Sequence, residues 1–134
     1  DARGKLGDLF VEALKKRDPN ADDEAVQKEQ TRPLRSPLVI VACAKVSQEK
    51  ANVPKVEQIV ATAAAVQNMM NAAHARGFGS FLATGKNARD PHVKAAFDLG
   101  DDDEIIGFVY FGTPRRGAME KPRPDAREFV SNWT

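Results

Sequence analysis

Residues 53–85, VPKVEQIVATAAAVQNMMNAAHARGFGSFLATG, constrain the fold more than any other part of the chain. Pro54 stands where a first helical turn tolerates a missing N–H, and from there to about Arg76 no glycine or proline interrupts the run. At about 100° per residue, Ile59, Ala63, Val66 and Met70 share one apolar side, while Glu57, Gln67, Asn68, Asn71 and His74 gather opposite. Alanines at 61, 63, 64, 65, 72, 73 and 75 leave little side-chain volume. The pattern therefore predicts a long helix that approaches another backbone closely and is buried in the core or an interface. Arg76 and Gly77 close it as a basic last turn and a C-terminal glycine. A short apolar strand at 80–83 follows, then a turn, Thr84-Gly85-Lys86-Asn87. Turns carried on rigid elements are where ligands usually bind.

A chain of 134 residues is expected to form one domain, 1–134, around a single core. A net charge of +1 points to neither a nucleic-acid nor a membrane partner. The alanine-rich helix is long enough to cross a bilayer, but its Glu, Gln, Asn and His residues argue against insertion. Cys43 is the only cysteine, so there is no internal disulfide framework and no multi-cysteine metal site, and a cytoplasmic location is the simplest expectation. The sequence begins without Met, at Asp1, on the approach to an amphipathic helix, which suggests that an N-terminal portion is missing.

Leu6, Leu9, Phe10, Ala13 and Leu14 predict a first helix over 3–17, and Asp22 or Asp23 can cap a second, mostly polar surface helix reaching Arg32. Pro33 and Pro37 force extended backbone into LVIVACA at 38–44, read as a central strand covered on both faces. Asp90-Pro91 starts a short helix, 101–104 is a solvated acidic turn, and 105–111 forms another buried strand. The tail is rich in arginine and ends in Phe129, Val130 and Trp133, which are expected to pack within the subunit or across a dimer.

GFGSFLATG looks like a nucleotide-binding glycine loop, yet its order is helix, glycine, strand, whereas the dinucleotide fingerprint follows a strand and opens a helix. Gly77 and Gly79 therefore read as a helix stop and the start of a strand. Thr84-Gly85 is more informative, because backbone groups at a strand end can meet a planar ring. His74 has no partner at a spacing that would orient it for catalysis, and Cys43, Met69 and Met70 read as packing residues. Arg115-Arg116 follows the Gly-Thr-Pro end of a strand; its guanidiniums either are solvated or bind an anion such as phosphate. Aromatic residues are not interleaved with these cations, as an RNA-binding segment would require.

The succession LRSPLVIVACAKV, VPKVEQ with its Ala-rich helix, ARGFGSFLATG and IIGFVYFGTP resembles the FMN-dependent nitroreductases, in particular the small bacterial NAD(P)H nitroreductase type. The resemblance covers about residues 1–130. It implies an α+β fold with a central β-sheet flanked by helices, the long alanine-rich helix buried. It implies FMN at the interface of a homodimer, and two-electron transfer from NAD(P)H to a small-molecule acceptor, a nitroaromatic, a quinone or similar. By the same resemblance Ala83, Thr84 and Gly85 lie against the flavin, and Arg115, Arg116 or Arg123 faces its phosphate. Members of that family place an Arg-Arg-Ser flavin-binding segment and a loop ending near Gln-Pro-Trp upstream of the residues matched here. The alternative from another class is a non-enzymatic flavin-binding or dimeric structural remnant.

Overall fold

The computed structural model describes residues 1–49, 52–115, 117 and 121–133. Its first helix, α1 (Ala2–Arg17), is capped by Asp1, whose carboxylate accepts from the Arg3 amide. The Asp22 carboxylate accepts from Ala25 N and starts α2 (Asp23–Thr31), which buries no residue, as its weak apolar face predicts. A 3₁₀ helix, Arg32–Arg35, carries Pro33 in its first turn and delivers the chain into β1 (Leu38–Ala44). Then come α3 (Lys55–Ala75), β2 (Gly79–Ala83), a second 3₁₀ helix (Lys86–Arg89), α4 (Pro91–Ala95), β3 (Glu104–Gly112) and a 3₁₀ turn in the tail (Ala126–Phe129). No helix among the described residues is long and apolar enough to cross a membrane.

The strands form one antiparallel sheet in the order β1-β3-β2. The middle position belongs to β3. This corrects the reading of 38–44 as the central strand, since among the described residues β1 has only one partner and its Leu38 is exposed. A continuous apolar run marks burial of both faces, but it does not say how many neighbours a strand has in the plane of the sheet.

Between β1 and β3 the register slips at Ala42/Cys43, so that Cys43 opposes Ile105 while Ala42 opposes Gly107. A one-residue slip exchanges the faces of a strand. Ile105 thereby joins Phe108 and Tyr110 on the face covered by Leu6, Phe10 and Ala13 of α1 and Val93 of α4. Val109 and Phe111 point the other way, onto Val66 of α3. The sheet is thus sandwiched between α1 with α4 on one side and α3 on the other.

Of the two places expected for the alanine-rich helix, core or interface, the core of this chain covers only a single stripe of it. Within this chain only Val66 of α3 is buried; Met70 and Ala73 pack beside it, and Ala61, Ala64, Ala65 and Ala72 are exposed. Strands lie about 4.8 Å apart, so three of them offer roughly the width of one helix and cover a single stripe of it. The end of the helix does follow its sequence. Gly77 adopts φ +80°, Phe78 N donates to Ala73 O at 2.9 Å and Gly77 N to His74 O at 2.9 Å, a Schellman stop.

The acidic turn at 101–104 is only partly solvated, because Asp103 is buried and accepts from Val46 N at 2.7 Å and Gly100 N at 2.9 Å. The Gly100 and Val46 amides hold its carboxyl below the usual carboxylate range. A folded-state value depressed in this way stabilises the protein fully above the unfolded value of about 3.9, and the contribution is lost as pH falls through it toward the folded value. Asp103→Asn is therefore expected to flatten the acid limb of a stability–pH profile below about pH 4. Urea unfolding at a series of pH values measures this, and an unaltered acid limb would refute it.

Candidate functional site

Two adjoining clefts open beside β2 on the face covered by α1. The larger, of about 840 Å³, runs between the 3₁₀ helix Arg32–Arg35 and the start of β2, and includes Phe81, Ala83, Tyr110 and Arg115. The smaller, of about 340 Å³, includes Phe10, Arg17, Thr84, Gly85 and Phe108. Arg32, Ala83 and Tyr110 line both. A volume of this order suits a small-molecule or cofactor site.

The structure brings several of the expected site residues together. Ala83 and Arg115 line the larger cleft, while Thr84 and Gly85 continue from Ala83 into the smaller one. Arg123 is exposed in the tail and lines neither, and Arg116 lies outside the described residues. Phe129, Val130 and Trp133 are exposed, so the tail does not pack within the chain at these positions.

The turn after β2 is held from behind by a chain of polar contacts. Arg17 of α1 pairs with buried Asp90 and donates to Asn87 at 2.9 Å. Asn87 in turn donates to Glu29 of α2 at 2.7 Å, and the other oxygen of Glu29 accepts from Arg32 at 2.6 Å. Asp90 also accepts from His92 N and Val93 N, capping α4. Charge-assisted bonds of this kind keep a surface turn in one geometry, and Gly85, at φ +67°, supplies the backbone conformation the turn needs.

Two buried polar atoms have no hydrogen-bond partner among the described residues, Arg32 Nε and Tyr110 Oη. Both residues line the cleft. Burial pushes the Tyr110 phenol up, against the pull of the Arg32 and Arg35 guanidiniums, so at neutral pH the hydroxyl is a neutral donor. Burial, and then Asp103, likewise push the Cys43 thiol up and leave it a protonated packing residue.

Reading the sequence for motifs did not find Arg32, Arg35 or Tyr110. The segment TRPLRSP was legible only as proline-directed backbone, and Tyr110 as one apolar residue of a strand. The available signal was a tyrosine facing inward in an otherwise hydrocarbon run, since a buried phenol calls for a partner.

The comparisons with known proteins place the chain in the nitroreductase family, whose match covers residues 1–113. Over 112 residues it is 38% identical to the Escherichia coli K12 protein named "Putative NAD(P)H nitroreductase YdjA", covering 83% of this chain and 61% of that protein. A Haemophilus influenzae protein named "Putative NAD(P)H nitroreductase" is 30% identical over 110 residues, covering 81% of this chain and 60% of its own length. The chain thus spans about three-fifths of the length of these relatives. The crystal structure of a nitroreductase-like family protein from Bacillus cereus superposes with a TM-score of 0.75 at 22% identity, over 99% of this chain and 68% of the other. That likeness shows the α+β nitroreductase-like fold.

Proposed function

We propose that the protein is an FMN-dependent oxidoreductase that passes two electrons from NAD(P)H, oxidised to NAD(P)⁺, to a small acceptor such as a nitroaromatic or a quinone. The observation that carries this reading is the pair of adjoining clefts, the larger lined by Ala83 and Arg115 and the smaller by Ala83 and the Thr84-Gly85 turn, in a chain of the nitroreductase family. The residues present fit a flavin mononucleotide. The small residues at 83–85 leave room for a planar ring against backbone groups, Arg32 and Tyr110 line the cleft beside them, and Arg115 is the one of the three candidate arginines that, among the described residues, lines it and can face the phosphate. The flavin, when bound, supplies the hydride chemistry. The residues of this chain position it: the Arg17–Asp90 and Asn87–Glu29–Arg32 contacts fix the turn, and the guanidiniums place the anionic end. A protein nucleophile is not needed for such a transfer.

The same reading makes the protein a single-domain homodimer. Val56, Val60 and Met69 of α3, with Phe78 beyond it, expose apolar surface that a second copy would cover, and the tail's Phe129, Val130 and Trp133 are exposed as well. The full-length protein is expected to copurify with or take up FMN, to run at dimer mass at micromolar concentration, and to oxidise NAD(P)H when an acceptor is supplied. FMN binding with no NAD(P)H oxidation by any acceptor would favour the flavin-binding remnant. Absence of FMN binding would end the flavoprotein reading.

A further inference from the structure

We propose that Asn87 and Glu29 are positioning residues: the Asn87 amide joins two ion pairs, Arg17–Asp90 and Glu29–Arg32, and thereby sets the backbone of the Thr84-Gly85 turn. That the turn meets a flavin rests on the flavoprotein reading above; the joint itself does not.

Asn87 is 5% exposed and lies in the 3₁₀ helix Lys86–Arg89, two residues beyond Gly85. Its Oδ1 accepts from Arg17 at 2.9 Å and its Nδ2 donates to Glu29 Oε2 at 2.7 Å. The neighbours dictate which way the amide points, since a guanidinium only donates and a carboxylate only accepts. Charge therefore alternates along the contacts, from Asp90 to Arg17 and from Glu29 to Arg32, with one neutral group between the inner cation and the inner anion. The side chain in that place must accept on one side and donate on the other. An aspartate there would set a second carboxylate against Glu29 and remove the donor that Glu29 now has.

The joint acts on the turn because little else holds it there. No side chain caps the 3₁₀ helix at its N-terminal end, where Gly85 stands at φ +67° and ψ −166°. Arg89 ties the far end to Ile105 O at 3.0 Å, whereas Asn87 ties the end next to the turn. Thr84, Gly85, Asn87 and Arg32 line the smaller cleft together, so a tilt of the amide moves both the turn and the guanidinium that borders the two clefts. A buried amide bonded at both ends keeps one geometry, and one bonded at a single end does not.

The test compares the full-length protein with Asn87→Asp, with Glu29→Gln and with the double variant. In the double variant amide and carboxylate have changed places: the new carboxylate accepts from Arg17 and from the new amide, whose oxygen accepts from Arg32, so each bond keeps a donor and an acceptor. FMN affinity is read by fluorescence titration well below the unfolding temperature, and amide hydrogen exchange over 82–87 follows the turn without ligand. Asn87→Asp is expected to weaken FMN binding about tenfold or more, Glu29→Gln about three- to tenfold, and the double variant to bind within about threefold of the parent. Exchange in the turn should rise in the single variants and recover in the double one.

A merely structural amide would lower the melting temperature of the single variants and leave the FMN affinity of the folded protein where it was, and that result overturns the proposal. A double variant that binds no better than Asn87→Asp overturns it as well. If Asn87→Asp does not fold, Glu29→Gln decides: a loss of affinity recovered in the double variant supports the joint, and parental affinity overturns it. If the parent protein binds no FMN, the flavoprotein reading fails on its own account. Exchange in the turn then decides the joint: raised in either single variant and restored in the double one, it supports the proposal, and unaltered exchange overturns it.

Discussion

Phe108→Ala is expected to remove about 3–5 kcal/mol of folding stability, a large share of the roughly 5–15 kcal/mol that holds an ordinary domain together. Phe108 stands on the middle strand, is 2% exposed, and meets Phe10 of α1 edge to face with ring centroids 4.9 Å apart at 77°. The pair fastens α1 to the sheet, with Leu6, Ala13, Val93 and Ile105 around it. Truncation therefore forfeits the transfer of a whole aromatic side chain and leaves a cavity that fixed strands cannot close. Equilibrium urea unfolding measures the loss as a lower midpoint at unchanged slope. Phe81→Ala is the matched control, since that ring is exposed and its loss should alter stability by no more than about 0.5 kcal/mol. Equal effects for the two phenylalanines would contradict the placement of the core.

Gly107→Val is expected to cost both stability, by about 1–3 kcal/mol or more, and FMN affinity, by about tenfold or more. A Cβ at Gly107 would lie 2.6 Å from Leu82 Cδ1 and 2.7 Å from the Ala83 carbonyl oxygen, with Thr84 Cγ2 at 3.4 Å. The leucine tip can rotate away, but the carbonyl is backbone. The end of β2 must then move off β3 at the residues proposed to border the flavin ring. Unfolding in urea and fluorescence titration with FMN report the two effects separately. An affinity equal to that of the parent would mean that 83–85 does not touch the ring. Gly107→Ala places the same Cβ and should lower both quantities in the same direction with a smaller amplitude.

Gly107 was not singled out in reading the sequence, although a signal was there. A lone glycine inside IIGFVYF signals a bulge or a close backbone approach, and both occur there: the register slip beside Ala42 and the contact with Ala83. The sequence cannot say which strand makes the approach, because that depends on pairing between segments more than twenty residues apart.

What the sequence by itself determined are the local elements and the family. Periodicity, proline and glycine placed α1, β1, α3 and β2 within a residue or two, because caps, turns and hydrophobic spacing act over a few residues. Four segments in order were enough for the nitroreductase resemblance, now shown by the family match. Tertiary structure alone decided the strand order, the exposed circumference of α3, the inward turn of Asp103, and the meeting of Arg32, Arg35, Tyr110 and Arg115 around one cleft. Each of these follows from partners distant in the chain. An alanine-rich helix permits close packing on every side, but a three-stranded sheet can cover only one of them, and a tyrosine in a strand shows its unmet hydroxyl only when the neighbouring elements have closed around it.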